Sequence, residues 1–131
     1  MKLPKSIYFY TALLGVFGIG MGIWSTISPM GMLDIVGLTL EGTGRTLIIG
    51  FFAARNAAFG VLFLVALFYY RTRETLLTIY ISRLILDIMD TTVMTIAGQM
   101  DLARVLEQAL FLVPIPIIIY YLAKTNPNKS E

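Results

Sequence analysis

Residues 7–27 read IYFYTALLGVFGIGMGIWSTI, a run with no charged side chain anywhere in it. An α-helix rises about 1.5 Å per residue, so about 20 apolar residues cross the hydrocarbon core of a bilayer. This segment is therefore expected to be a membrane-spanning helix, and the fold class follows from it. A secretory leader is the competing reading, because Lys2 and Lys5 precede the run. The run is long for the apolar part of a leader, and its end reads WSTISPMG rather than a small-residue cleavage pattern. It is read as a retained helix.

Working outward, the same signal recurs three times. Residues 46–70 form a second apolar run, residues 75–97 a third and residues 102–123 a fourth. RTRE at 71–74 makes the turn between the second and third runs, and residues 98–102 the turn between the third and fourth. The long connection 28–45 holds Pro29, Gly31, Gly37, Gly42 and Gly44 around the apolar MGMLDIVGL. That middle is too short to span, and a short interfacial or re-entrant segment is expected there. Pro114 and Pro116 lie inside the fourth run. Proline withdraws a backbone donor and disturbs the preceding turn, which predicts a kink near residues 109–113. The polar tail 124–131 is expected to be disordered. The fold class expected is all-α: a single integral membrane domain, 1–131, built as a four-helix bundle.

Composition agrees. Of 131 residues, 57% are hydrophobic and 14% charged, against about 25% charged in ordinary soluble domains; the mean hydropathy is +0.80. The absence of cysteine and histidine excludes disulfides, thiol chemistry and the commonest transition-metal ligands. No cofactor is implied. The net charge of +2 is scattered along the chain, so nucleic acid is not an expected partner. Lys2, Lys5, Arg71, Arg73, Lys124 and Lys129 would share one side of the membrane, opposite Arg45 and Arg104. The positive-inside rule then places both termini in the cytoplasm.

The chemistry must come from ionisable residues inside the spans. Arg55 and Asn56 stand near the middle of the second run, Arg83, Asp87 and Asp90 in the third, and Glu107 and Gln108 in the fourth. One charge at the centre of an isolated helix costs about 2.5–3.5 kcal/mol on insertion scales, so three in one helix call for partners. Tyr80, Arg83, Asp87, Asp90 and Met94 are spaced 3, 4, 3 and 4 apart, which is one helical stripe. Depth counting brings Arg55, Asp87, Asp90 and Glu107 between mid-membrane and the outer face, and one buried cluster is expected. It sets two cations against three carboxyls. This suits acid–base catalysis in which one carboxyl holds a proton and its neighbour is ionised, with Arg55 or Arg83 stabilising developing negative charge. Asp87, Asp90, Glu107, Arg55 and Arg83 are the catalytic candidates; Asn56, Gln108, Tyr80, Phe52 and Phe59 are the ligand-binding ones. A hard divalent cation on the three carboxyls is opposed by the two arginines, so no metal is expected.

The plainer readings are architectural. A buried Arg–carboxylate network can simply hold helices in register. Thr91, Thr92 and Thr95 are expected to bond back to their own helix. Gly18 and Gly22 form a GxxxG on the first helix, and Gly50, Ala54 and Ala58 offer a small-residue face on the second. Packing within the chain is the expected use of both, with a homodimer as the other use of GxxxG. Tyr8, Tyr10, Trp24, Tyr69, Tyr70, Tyr120 and Tyr121 near the span ends read as an interfacial belt.

The stretches GRTLIIGFFAARNAAFGVLFL (44–64) and RLILDIMDTTVMTIAG (83–98) resemble the small four-helix DoxX-like membrane proteins. The likeness rests on Arg55, Asn56, Gly60, Asp87 or Asp90, and Gly98. It implies the four-helix fold, and from the family's named members either quinone-linked sulfur oxidation or an accessory-subunit role. From the residues themselves, the leading expectation is a lipid-embedded, multi-pass protein of the cell membrane that binds a lipophilic small molecule at the charged cluster, with isomerisation or epoxide opening as its chemistry. Proton-coupled transport and a non-catalytic accessory subunit are the alternatives.

Overall fold

The computed structural model describes residues 3–31, 45–98 and 100–124, without the side chains at 45–48, 104 and 107. The expected interfacial segment in the long connection and the expected disordered tail fall almost wholly outside these residues. Among the described residues every element is helical: α1 (Lys5–Ile27), α2 (Arg45–Val65), one wide π-type turn (Ala66–Tyr70), α3 (Arg73–Ile96), α4 (Leu102–Leu112) and α5 (Pro114–Lys124). The chain divides into two compact units at Arg71, residues 2–70 and residues 71–131 with Met1. Two helices, Lys5–Ile27 and Ile49–Tyr70, are long and apolar enough to cross a membrane.

In the first unit α1 packs on α2 through glycine. Gly15, Gly18 and Gly22 are buried along α1. A Cβ on Gly18 would stand 2.7 Å from the Asn56 carbonyl oxygen and 3.0 Å from the Gly60 Cα; one on Gly22 would stand 2.6 Å from the Ala57 Cβ. The GxxxG therefore serves close packing inside the chain. The partner face on α2 differs from the expected one. Ala53, Ala57 and Gly60 meet α1, whereas nothing lies within 4 Å of a Cβ on Gly50, and Ala54 and Ala58 are exposed. Residues 53, 57, 60 and 64 share the 4-3-4 spacing of one stripe as well as 50, 54 and 58 do, so spacing alone does not choose between faces about 100° apart. Two hydroxyls of this interface bond back to their own helix. Thr11 Oγ1 donates to the Ile7 carbonyl at 2.6 Å, and Ser25 Oγ to that of Met21 at 2.6 Å. Each satisfies a hydroxyl donor inside an apolar interface. Tyr8 and Phe68 meet edge to face, ring centroids 6.1 Å apart, which joins the π-type turn to the start of α1.

The second unit begins with a designed-looking helix start. Thr72 caps α3 by accepting from the Thr75 amide at 3.2 Å, and Glu74 lies in the first turn, where the helix dipole favours an anion. The far end closes at Gly98, whose φ of +69° suits a residue without a Cβ and whose amide reaches the Thr95 carbonyl. Antiparallel to α3, the fourth apolar run is broken at Val113, between α4 and α5, as Pro114 and Pro116 predict. The arm after the break, α5, buries Ile115, Ile118 and Leu122 and packs on α3. Its end is held by Arg73, whose Nε donates to the Leu122 carbonyl and whose Nη2 donates to that of Ala123 at 2.7 Å. A cation there meets both orphan carbonyls and the negative end of the dipole.

Candidate functional site

The polar stripe of α3 is the chemical centre of the second unit. Arg83 and Asp87 lie one helical turn apart and pair through two parallel contacts: Nε donates to Oδ2 at 3.0 Å, and Nη2 lies 2.8 Å from Oδ1. The side chains are 23% and 14% exposed. A bidentate guanidinium–carboxylate pair of this kind is the stronger and more directional form of ion pair. Asp90 and Met94 continue the stripe, half-buried, above the fully buried Tyr80.

The 83–87 line extends by one further turn to Thr91. Its Oγ1 donates to the Asp87 carbonyl at 2.7 Å and also lies 2.7 Å from Gln108 Oε1 of α4. A hydroxyl carries a single proton, so Thr91 donates to one of these two oxygens at a time. Gln108 Nε2 also donates to the Met94 sulfur at 3.4 Å. Thr92 and Thr95 bond back to Ile88 and Thr91, as expected. Thr91 does this and reaches α4 as well, a role the sequence signals only by its i+4 distance from Asp87. Two contacts set the antiparallel register: Thr91 opposite Gln108, and Arg73 opposite Leu122 and Ala123. Four residues along from Thr91, Asp87 comes level with Leu112, next to the helix break. The charged pair and the broken helix share one depth.

The other candidates stand in the first unit. Arg55 is half-buried, its guanidinium carbon 5.3 Å from the centre of the Phe52 ring, a cation–π contact. Asn56 is buried and donates through Nδ2 to the Phe52 carbonyl of its own helix at 2.9 Å. Phe59 and Phe52 are half-buried, Phe63 is core and Phe51 points outward, 73% exposed. The side chain of Glu107 lies outside the described residues. The fully buried charge cluster expected from the spacing is not what is found: among the described residues no charged side chain is fully buried. The reason is local. Arg83 and Asp87 neutralise each other along one helix, and this pairing works at a half-buried surface without enclosure. Among the described residues no group of three acidic side chains could hold a metal ion.

The described residues are all helical, with two helices of membrane-crossing length and a paired polar stripe on a third. A family model described as a domain of unknown function (DUF4267) matches residues 15–122, and the chain belongs to that family. No curated protein and no solved structure matches it.

Proposed function

We propose that the chain is an integral membrane protein that crosses the bilayer four times, with both termini cytoplasmic, and that it binds a lipophilic small molecule at the polar stripe of α3. The observation that carries the ligand reading is the bidentate Arg83–Asp87 pair, half-buried midway along a 24-residue helix beside Asp90. Ionisable groups at membrane depth are expensive to keep and are by default functional. The membrane reading draws support from the outward apolar side chains Phe9, Ile27, Phe51, Ile96, Leu102 and Leu110, each at least 70% exposed; water would not tolerate so much apolar surface, and acyl chains would cover it. The basic residues at the cytoplasmic ends and exposed Tyr69, Tyr70 and Tyr120 suit the interface. Kinship with the DoxX-like proteins belongs to this reading and rests on the sequence resemblance of residues 44–64 and 83–98.

Any catalysis here is acid–base in kind. Asp87, paired with Arg83, and Asp90 are the acid–base groups, and Arg83 stabilises an oxyanion. Isomerisation or epoxide opening would need no more. The test is to purify the full chain in native lipid particles and identify the small molecules that come with it by mass spectrometry. A lipophilic species enriched with the wild type and depleted at least tenfold in folded Asp87→Asn and Asp90→Asn proteins is the expected result. Identical small-molecule content in all three would overturn the reading.

The break at Val113 favours a second reading, a proton-coupled carrier of small solutes, because discontinuous helices beside ionisable groups are the machinery of many carriers. Flux in proteoliposomes that follows an imposed pH gradient would select it. An accessory-subunit role would instead show as a larger complex on gentle purification.

A further inference from the structure

The two arms of the fourth apolar run are held in different ways. The inner arm α5 is fixed: Ile115, Ile118 and Leu122 are buried, and Arg73 grips its last carbonyls. In the outer arm α4 none of the described side chains is buried, and Leu102, Leu106 and Leu110 are 75%, 63% and 72% exposed. Gln108 joins it to α3 through Thr91 and Met94. Between the arms, Pro114 and Pro116 withdraw the amide hydrogens that the carbonyls of Leu110 and Leu112 would accept in a continuous helix. Helices bend where such bonds are missing.

We infer that α4 is a hinged gate over the polar stripe of α3, pivoting at Val113–Pro114 and latched shut by Gln108. A packed, anchored arm and a loosely held arm separated by a proline break form a lever with a defined fulcrum. The latch Gln108 lies on Thr91, five residues from the pivot, so releasing it uncovers Thr91 from the side, at membrane depth. A lipophilic molecule would then enter laterally from the bilayer. That use rests on the ligand reading above, whereas the movement itself does not. The lever arm sets the scale. Leu106 lies seven residues from the pivot, about 10 Å at 1.5 Å per residue, so a bend of about 20° moves it by about 3–4 Å.

The chain has no cysteine, so paired spin labels go only where cysteines are introduced. One pair, Val93→Cys with Leu106→Cys, spans α3 to the outer arm; a second, Ile81→Cys with Ile117→Cys, spans α3 to the inner arm. All four positions are exposed. Dipolar electron paramagnetic resonance on the full chain in lipid nanodiscs reads the distances. The expected result is an outer-arm distribution that gains a component about 3–4 Å longer when Gln108→Leu removes the latch, with the inner-arm distance unchanged. Replacing both prolines, Pro114→Ala with Pro116→Ala, should remove that component in the Gln108→Leu background. A single outer-arm distance untouched by Gln108→Leu overturns the latch. A long component that survives the proline replacements overturns the fulcrum. Because no ligand enters the measurement, neither result depends on the ligand reading, which the mass-spectrometric comparison decides separately.

Discussion

Gly60→Ala tests the α1–α2 interface most directly. A Cβ at this position would stand 2.6 Å from the Gly15 carbonyl oxygen and 2.6 Å from the Ile19 amide nitrogen. Both are backbone atoms of α1, so no rotamer change relieves the clash. Non-bonded heavy atoms sit about 3.5 Å apart at best, so the helices must separate by about 1 Å, and a gap of that size forfeits about a quarter to a half of each contact along the seam. Overpacking of this kind costs about 1–3 kcal/mol. The better helix propensity of alanine returns up to about 1 kcal/mol. The net loss is up to about 2 kcal/mol, a fall of up to about thirtyfold in the folded-to-unfolded ratio. Gly50→Ala and Gly20→Ala are the internal controls, because a Cβ at either position meets nothing within 4 Å; both should be neutral or slightly stabilising. Reversible unfolding in mixed micelles, followed by circular dichroism, measures all three. If Gly60→Ala is as stable as Gly50→Ala, the glycine seam does not set the approach of α1 to α2.

Three further outcomes follow from the same geometry. Arg83→Gln and Asp87→Asn each leave one half-buried charge of the pair uncompensated and should destabilise the chain by about 1–3 kcal/mol; the double replacement should cost less than the sum, and a thermal double-mutant cycle reads the difference. Arg73→Gln strips the cation from the carbonyls of Leu122 and Ala123, so hydrogen exchange in the last turn of α5 should quicken about five- to tenfold, corresponding to about 1 kcal/mol, with the rest of the chain unchanged. Reporters fused before Lys5 and after Lys124 should both read as cytoplasmic, and one placed in the 98–102 turn should read as external; a split result would refute the four-span topology.

How far the chain could be read in advance is best seen residue by residue. The break at Val113 was legible because proline lacks an amide hydrogen wherever it stands. The back-bonded threonines were legible because a hydroxyl in a helix surrounded by apolar side chains finds the carbonyl four residues before it. The Arg83–Asp87 pair was legible from i,i+4 spacing, which brings side chains together whatever surrounds the helix. Three things were not. Ala53, Ala57 and Gly60 form the seam rather than Gly50, Ala54 and Ala58, because two small-residue stripes on one helix are equivalent until a partner chooses. Arg73 reads as one charge in a polar turn, and only the antiparallel return of α5 brings Leu122 and Ala123 to it, 49 and 50 residues away. The partial burial of the stripe was hidden too, since spacing gives the direction of a side chain and not the depth of what covers it.

By itself the sequence determined the quantities that are local along the chain: helix positions, the proline break, the polar turn at 71–74 and the self-neutralising pair on α3. These depend on backbone donors, dihedral preferences and neighbours within one turn, all of which travel with the sequence. Tertiary structure alone decided which faces meet. The glycine seam, the grip of Arg73 on α5 and the Gln108 latch on Thr91 join residues 17 to 50 positions apart or on separate helices. Such contacts form only when helix rotation and register are chosen together by packing.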